Sequence, residues 1–243
     1  MNALSNGEKK LLLYVPGTRP GFIENAIALE IDALVIDLED SVSALEKDSA
    51  RDVARYALSY LERNKIPDII VRVNALDSPY IYEDLMAAVP CRPDAIRIPM
   101  IRNASQMRAL VNKISELERK FGIEQDPILL QVMIENQSAL DNLYSIVNAS
   151  PRIRAVTFGG SDYAKDTGIT DPQKIWEAKE YMVRSAHAIG VYAYDTVFGD
   201  LSDVESVIKD AERSAKIGFD GKSIIHPAQI PVTRSAFCKA SIQ

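Results

Sequence analysis

Two carboxylates stand where they could hold a hard metal ion. Glu135 directly follows the apolar run Ile128 to Ile134, and Asp162 follows a second run, Ala155 to Phe158, across two glycines. If the two runs are neighbouring parallel strands, both carboxylates lie at one end of one sheet. Oxygen ligands without histidine or cysteine suit Mg2+, with Mn2+ as the alternative, rather than Zn2+. Mg2+ takes one or two protein carboxylates and keeps its other positions for water and substrate oxygens, and this pair matches that count.

Other polar residues fall just past apolar runs: Asp37, Glu39 and Asp40 in ALVIDLED, Arg72 and Asn74 in IIVRVN, Asp195 after VYAY, and Lys222 and His226 in GKSIIHP. Each has a purely structural reading. Glu39 and Asp40 are first-turn acids if a helix begins at Glu39, and Arg72 is a buried partner if it faces Asp37. His226 precedes a proline and is expected to fix a loop, while His187 lies in a helical stretch with no ligand pattern around it. Cys91 lacks the basic neighbours of a nucleophilic thiol. Glu135 is harder to explain structurally, because an unpaired carboxylate at a buried strand end is costly unless a cation compensates it.

The elements that must position these groups alternate regularly. Strands are expected at Leu11–Val15, Ala33–Leu38, Ile69–Val73, Ala95–Ile98, Ile128–Ile134, Ala155–Phe158, Val191–Tyr194 and Gly221–Ile225. Helical spacing lies between them: a short helix from Ile23, a long one from Glu39 to Leu61, and one N-capped by Asn103 and ending near Lys120. Further helices are expected at Gln137–Val147, at Trp176–Ile189 with Gly190 as its stop, and at Leu201–Lys216 with Gly218 beyond, before a last stretch after HPAQI. One strand–helix unit per ~30 residues is the spacing of a (β/α)8 TIM barrel. The continuous apolar strands fit a parallel sheet buried on both faces. No GxGxxG follows the first strand, which argues against an open doubly wound sheet. With no low-complexity divider, residues 1–243 are expected to form a single domain, with 1–10 as a loose N-terminal segment.

The chain has 243 residues, 47% hydrophobic and 26% charged, with a formal net charge of −6. That composition gives no support for nucleic-acid or membrane binding. The two cysteines, Cys91 and Cys238, have no metal-ligand spacing, so a reduced, cytoplasmic setting is expected. LLLYV near the N-terminus is too short for a signal peptide or a membrane span.

Taken together and in order, YVPGTRP, DLEDSVSALEKDSAR, VRVN, MIEN, FGGSDYAKDTG and FDGKSIIHPAQI resemble the citrate lyase beta-subunit and malyl-CoA lyase group of the HpcH/HpaI aldolase superfamily. The resemblance spans about Leu12 to Phe237. It implies a (β/α)8 barrel that makes or breaks a carbon–carbon bond in a 3-hydroxyacyl thioester. It also implies Mg2+ on Glu135 and Asp162, a catalytic Arg72, and coenzyme A as part of the substrate. CoA contact is implied for Arg19, with Lys47 and Arg51 as further candidates, and a homotrimer or a multiple of it as the assembly. Short hydroxy-diacid thioesters are the implied substrates. (S)-citramalyl-CoA, cleaved to acetyl-CoA and pyruvate, stands first; malyl-CoA, a citryl thioester, a CoA-independent pyruvate aldolase and a non-catalytic subunit are the alternatives.

Three departures from the family pattern stand out. Met100 occupies the place of a lysine after the strand-four proline, and Asn136 follows Glu135 where relatives often have threonine. The chain also ends six residues after Phe237, whereas longer relatives continue into a lid segment that in some supplies a carboxylate. The general base is therefore expected to be Asp37, Glu39, Asp40 or a water on the metal.

Overall fold

The computed structural model describes residues 10–60, 68–123, 127–200 and 202–240. Residues 1–9 of the expected loose segment, the expected helix end at Leu61 and the expected helix start at Leu201 lie outside these. Eight parallel strands close into a barrel in sequence order: β1 Lys10–Pro16, β2 Ala33–Asp37, β3 Asp68–Arg72, β4 Ala95–Ile98, β5 Leu129–Ile134, β6 Ile153–Phe158, β7 Tyr192–Asp195 and β8 Gly221–Ile224. β8 returns to β1, with Leu13 opposite Ile224. The helices are α1 Pro20–Ala26, α2 Lys47–Tyr60, α3 Ile81–Ala88, α4 Ala104–Phe121, α5 Gln137–Asp141, α6 Leu143–Val147, α7 Gly160–Thr167, α8 Pro172–Ile189, α9 Val204–Lys216 and α10 Ile230–Ala240. The barrel expected from the spacing is the one observed.

Strand alternation sorts the chemistry. Side chains two apart along a strand share a face. One set (Leu12, Ala33, Val35, Ile70, Ala95, Ala155 and Tyr194) packs together as the apolar filling of the barrel. The alternate set, including Leu11, Leu13, Leu34, Ile36, Ile69, Val71, Ile96 and Ile98, joins the helices in the larger core. Following the inward set towards the strand C-termini leads to Tyr14, Asp37, Arg72, Thr157 and Ser223, and just beyond the strands to Glu135 and Gly159. The end at which barrel enzymes carry their sites thus turns polar.

Several helix limits differ from expectation for identifiable reasons. The second helix starts at Lys47 after a 3-10 turn over Ala44–Glu46, so Glu39 and Asp40 are loop residues and not first-turn acids. The helix expected over Gln137–Val147 is split at Asn142, whose backbone leaves helical geometry. α8 begins at Pro172, with Asp171 accepting from the Gln173 amide at 2.9 Å. α7 was not expected at all: two glycines and a polar run masked it. Asn103 and Gly190 cap their helices as expected.

Asp195 and Lys222 belong to the outward set. Their side chains lie between β7, β8, α8 and α9, away from the barrel mouth. The fully buried Asp195 carboxylate meets Lys179 Nζ and Lys222 Nζ, each at 2.8 Å, and accepts from the Ser214 hydroxyl. Lys222 also reaches Asp210 at 2.6 Å. Burial acts to raise the Asp195 carboxyl, but the two ammonium groups win and hold it well below the carboxylate range. Removing one member of such a buried cluster strands its partners without counter-charge. Asp195→Ala is therefore expected to cost about 3–5 kcal/mol in urea unfolding; a loss below about 1 kcal/mol, the scale of an exposed pair, would contradict this account.

Candidate active site at the barrel mouth

A cavity of about 400 Å3 opens at the C-terminal ends of the strands. Tyr14, Asp37, Arg72, Glu135, Thr157 and Asp162 are among its lining residues, together with Asp40, Gly159 and Ser223. Of the groups expected to carry chemistry, Arg72, Glu135, Asp162, Asp37 and Asp40 converge here.

Arg72 ends β3 opposite Asp37 on β2. Its Nε and Nη2 donate to the two Asp37 oxygens at 2.7 and 2.8 Å, a bidentate pair. Its Nη1 lies 2.9 Å from Glu39 Oε2 and 3.1 Å from Asp40 Oδ2. The structural reading of Arg72 as the partner of Asp37 is borne out, and it leaves Arg72 in the cavity wall. Burial acts to raise Asp37, but the Arg72 charge and hydrogen bonds, with help from Ser41 and the Glu39 amide, bring it below its ordinary value. Glu39 behaves oppositely. Burial, reinforced by Asp40, Glu135 and Asp37, outweighs Arg72 and pushes it up to about 8.

Glu135 follows β5 and is 2% exposed. Its Oε2 accepts from the Met100 amide at 2.9 Å. Burial is the main cause that pushes its carboxyl up to about 7; the Met100 amide and Arg72 oppose this, while Asp162 and Asp40 add to it. A divalent cation would reverse that imbalance. Met100 presents its amide from the left-handed region, φ 56°, a conformation that costs a residue with a side chain about 1–2 kcal/mol. Because the contact uses the backbone, the exchange of lysine for Met100 does not touch it. Asn136 is likewise accounted for: its side chain accepts from the Ala139 amide at 2.8 Å, capping α5, and donates to Ile101 O at 3.2 Å.

Asp162 sits in the first turn of α7, half-buried, and accepts from Lys165 at 2.8 Å. Between the two carboxylates lies Gly159. A Cβ there would collide with Glu135 Cγ and come within 2.6 Å of Oε1 and 2.9 Å of Cδ. At φ −100° the backbone itself would accept any residue, so the glycine is required by the Glu135 side chain lying over it. Among the described residues no cluster of three or more histidine, cysteine or acidic side chains forms a metal cage. Two oxygen-donor carboxylates, one of them under-compensated, fit a magnesium-type ion that keeps open positions.

The residues proposed for CoA contact are not in the cavity wall. Arg19 is exposed on the rim, next to the start of α1. Lys47 is buried, and its three protons go to Leu38 O, Glu39 O and Asn74 Oδ1 at 2.7–2.8 Å. Arg51 is buried against Asp84 and Asp48. Lys47 and Arg51 thus brace the β2–α2 loop that carries Glu39 and Asp40. His226 caps the turn at Pro227–Gln229, accepting from the Ala228 amide at 3.1 Å, the loop-fixing role expected of it. His187 Nε2 meets Asp220 at 2.8 Å.

The barrel floor holds polar groups that sequence reasoning missed. Arg97 is fully buried; it donates to Gln131 Oε1 from Nε at 3.0 Å and Nη2 at 2.8 Å, and to the Tyr14 hydroxyl at 2.7 Å. The same inward alternation that selects Arg72 selects Arg97, Gln131 and Thr157, which was the available signal.

A family model described as HpcH/HpaI aldolase/citrate lyase matches residues 10–227. Citrate lyase subunit beta from Leuconostoc mesenteroides subsp. cremoris is 32% identical over 232 residues, covering 94% of this chain and 76% of that protein. The L-malyl-CoA/beta-methylmalyl-CoA lyase of Cereibacter sphaeroides (strain ATCC 17025 / ATH 2.4.3) is 32% identical, covering 93% of this chain and 77% of that protein. A citrate lyase beta subunit from M. tuberculosis, solved with oxaloacetate and magnesium, superposes with a TM-score of 0.79 at 25% identity, covering 98% of this chain and 99% of that one.

Gly159→Ala should displace Glu135 without unfolding the barrel. Calorimetric titration is expected to show Mg2+ affinity reduced at least about tenfold, ~1.4 kcal/mol, with an unchanged metal-free melting temperature. Unaltered Mg2+ binding would show that Glu135 does not hold the ion.

Proposed function

Because the chain belongs to the HpcH/HpaI aldolase/citrate lyase family, we propose that it is a Mg2+-dependent lyase cleaving a short 3-hydroxy-diacid CoA thioester, with (S)-citramalyl-CoA as the leading substrate and acetyl-CoA and pyruvate as products. One observation carries the reading: Glu135 is a buried carboxylate under-compensated by its neighbours, in the same cavity as Asp162 and Arg72. A cytoplasmic setting, expected from the spacing of the cysteines in the sequence, is part of this proposal; among the described residues no helix is long and apolar enough to cross a membrane.

Glu135 and Asp162 would hold the ion. When bound, it supplies Lewis-acid polarisation of the substrate's carboxylate and hydroxyl oxygens. Burial acts against the charge of Arg72, but Asp37 and Glu39 keep it protonated; it faces the charge that develops as the carbon–carbon bond breaks, a contribution of about 2.7–4 kcal/mol for one well-placed donor. Asp37 is unsuited to act as base, since both its oxygens are engaged by Arg72 and one also by Ser41. Its part is to orient the guanidinium. The cavity of about 400 Å3 has room for the diacid end of the substrate, leaving the CoA moiety to lie across the rim near Arg19.

Purified protein with Mg2+ and a panel of citramalyl-CoA, malyl-CoA and a citryl thioester is expected to release a 2-oxoacid, with the highest kcat/KM on citramalyl-CoA. An extra methyl is worth only about 1–3 kcal/mol in discrimination, so malyl-CoA should be a slower substrate and not an inert one. Glu135→Ala and Asp162→Ala should each abolish metal-dependent turnover. Retained turnover in either variant overturns the metal assignment, a preference for malyl-CoA or citryl thioester overturns the substrate, and cleavage of the free acid alone overturns the thioester.

A further inference from the structure

We propose that Tyr14 is the acid that delivers a proton to the enolate formed on cleavage, an inference that rests on the lyase reading above. Retro-aldol cleavage of a 3-hydroxyacyl thioester moves two protons. The 3-hydroxyl loses one as its carbon becomes a carbonyl. The C2–C3 bond breaks, and its electron pair makes the thioester enolate, which must gain one at carbon to become the acetyl methyl group. The hydroxyl proton leaves before the bond breaks, while the acid that serves the enolate still holds its own, so two groups share the work. A base, for which Asp40 in the cavity wall is the carboxylate left over, holds the hydroxyl proton; the acid gives its proton to the enolate and is then reprotonated from that base, for zero net change.

The titratable groups lining the cavity are Tyr14, Asp37, Asp40, Glu135 and Asp162, besides the guanidinium of Arg72. Asp37 is locked in its bidentate pair, Glu135 and Asp162 are assigned to the ion, and Asp40 is 67% exposed at the rim. Glu39 is not part of the cavity lining. Tyr14 remains, and it is built for the task. Its hydroxyl oxygen accepts from Arg97 Nη1 at 2.7 Å, so its own proton is the donor left over, and no described residue accepts it. Its ring lies 4.9 Å from the Arg72 guanidinium carbon and 5.3 Å from that of Arg97.

Arg97 makes no ion pair among the described residues; its partners are the neutral Gln131, Tyr14 and Ser223. Its charge is therefore free to stabilise a phenolate, the species left when Tyr14 gives up its proton. Nearby, Gln131 Nε2 and Thr157 Oγ1 are buried without a partner, so the floor has donor capacity in reserve when negative charge appears on it.

Tyr14→Phe keeps the ring between the two guanidinium groups and removes only the oxygen and its proton. With acetyl-CoA, Mg2+ and pyruvate in D2O, mass spectrometry of the methyl group reads protonation, and rapid-quench release of 2-oxoacid reads bond cleavage. In Tyr14→Phe, methyl exchange and steady-state kcat are expected to fall about 100-fold, with KM unchanged and a first-turnover burst of 2-oxoacid retained. Tyr14→His, which returns a proton donor, should recover part of the exchange with a pH profile that follows an imidazole, and it carries the test if the Phe variant fails to fold. Equal exchange in wild type and Tyr14→Phe, or no exchange and no altered pH profile in Tyr14→His, overturns the role of Tyr14 while leaving the lyase reading intact. A wild-type protein that neither cleaves any thioester of the panel nor exchanges the methyl protons overturns both.

Discussion

The barrel mouth depends on keeping one guanidinium charged while it is almost wholly out of water. Arg72 is 7% exposed, and a buried cation is tolerated only if its donors are met and its charge is balanced. The register of β2 against β3 places Asp37 beside it, and the two side chains close a bidentate pair. The β2–α2 loop then brings Glu39 and Asp40 to the remaining amino group. That loop is held by Lys47, whose ammonium bridges two backbone carbonyls and Asn74, and by Arg51 through Asp84. The acidic loop is thus a counter-charge organised around Arg72.

A consequence falls on Glu135. With Asp37, Glu39 and Asp40 gathered about Arg72, little positive field is left for the carboxylate at the end of β5, and burial raises it to about 7. The fold contributes a strained amide at Met100 and a glycine at position 159 to seat that side chain. Local strain and a required glycine at a carboxylate without a counter-cation suit a metal ligand better than a structural ion pair. The buried cluster around Asp195 shows the contrast: there two lysines balance the carboxylate within the protein.

Most of the barrel was legible in the sequence because its strands are continuous apolar runs ending in polar groups, and the placement of Glu135 and Asp162 on the cavity wall follows from that pattern. What escaped has physical causes. Asp195 and Lys222 lie at strand ends as the mouth residues do, but the two-residue alternation turns them outward. α7 is hidden by the glycine pair at its start, of which Gly159 makes room for Glu135. The start of α2 was placed too early because Glu39 and Asp40 look like helix-favouring acids, whereas an arginine distant in sequence holds them in a loop. Arg97, Gln131 and Thr157 were passed over because they sit within apolar strands, where only the inward register shows them stacked beneath the site.

If Glu135 and Asp162 jointly hold one divalent ion facing Arg72, anomalous diffraction from crystals soaked in Mn2+ should show a single strong peak at the barrel mouth, at direct-ligation distance from an oxygen of each carboxylate. A peak bound elsewhere, or a mouth that stays empty at saturating Mn2+, would contradict that arrangement.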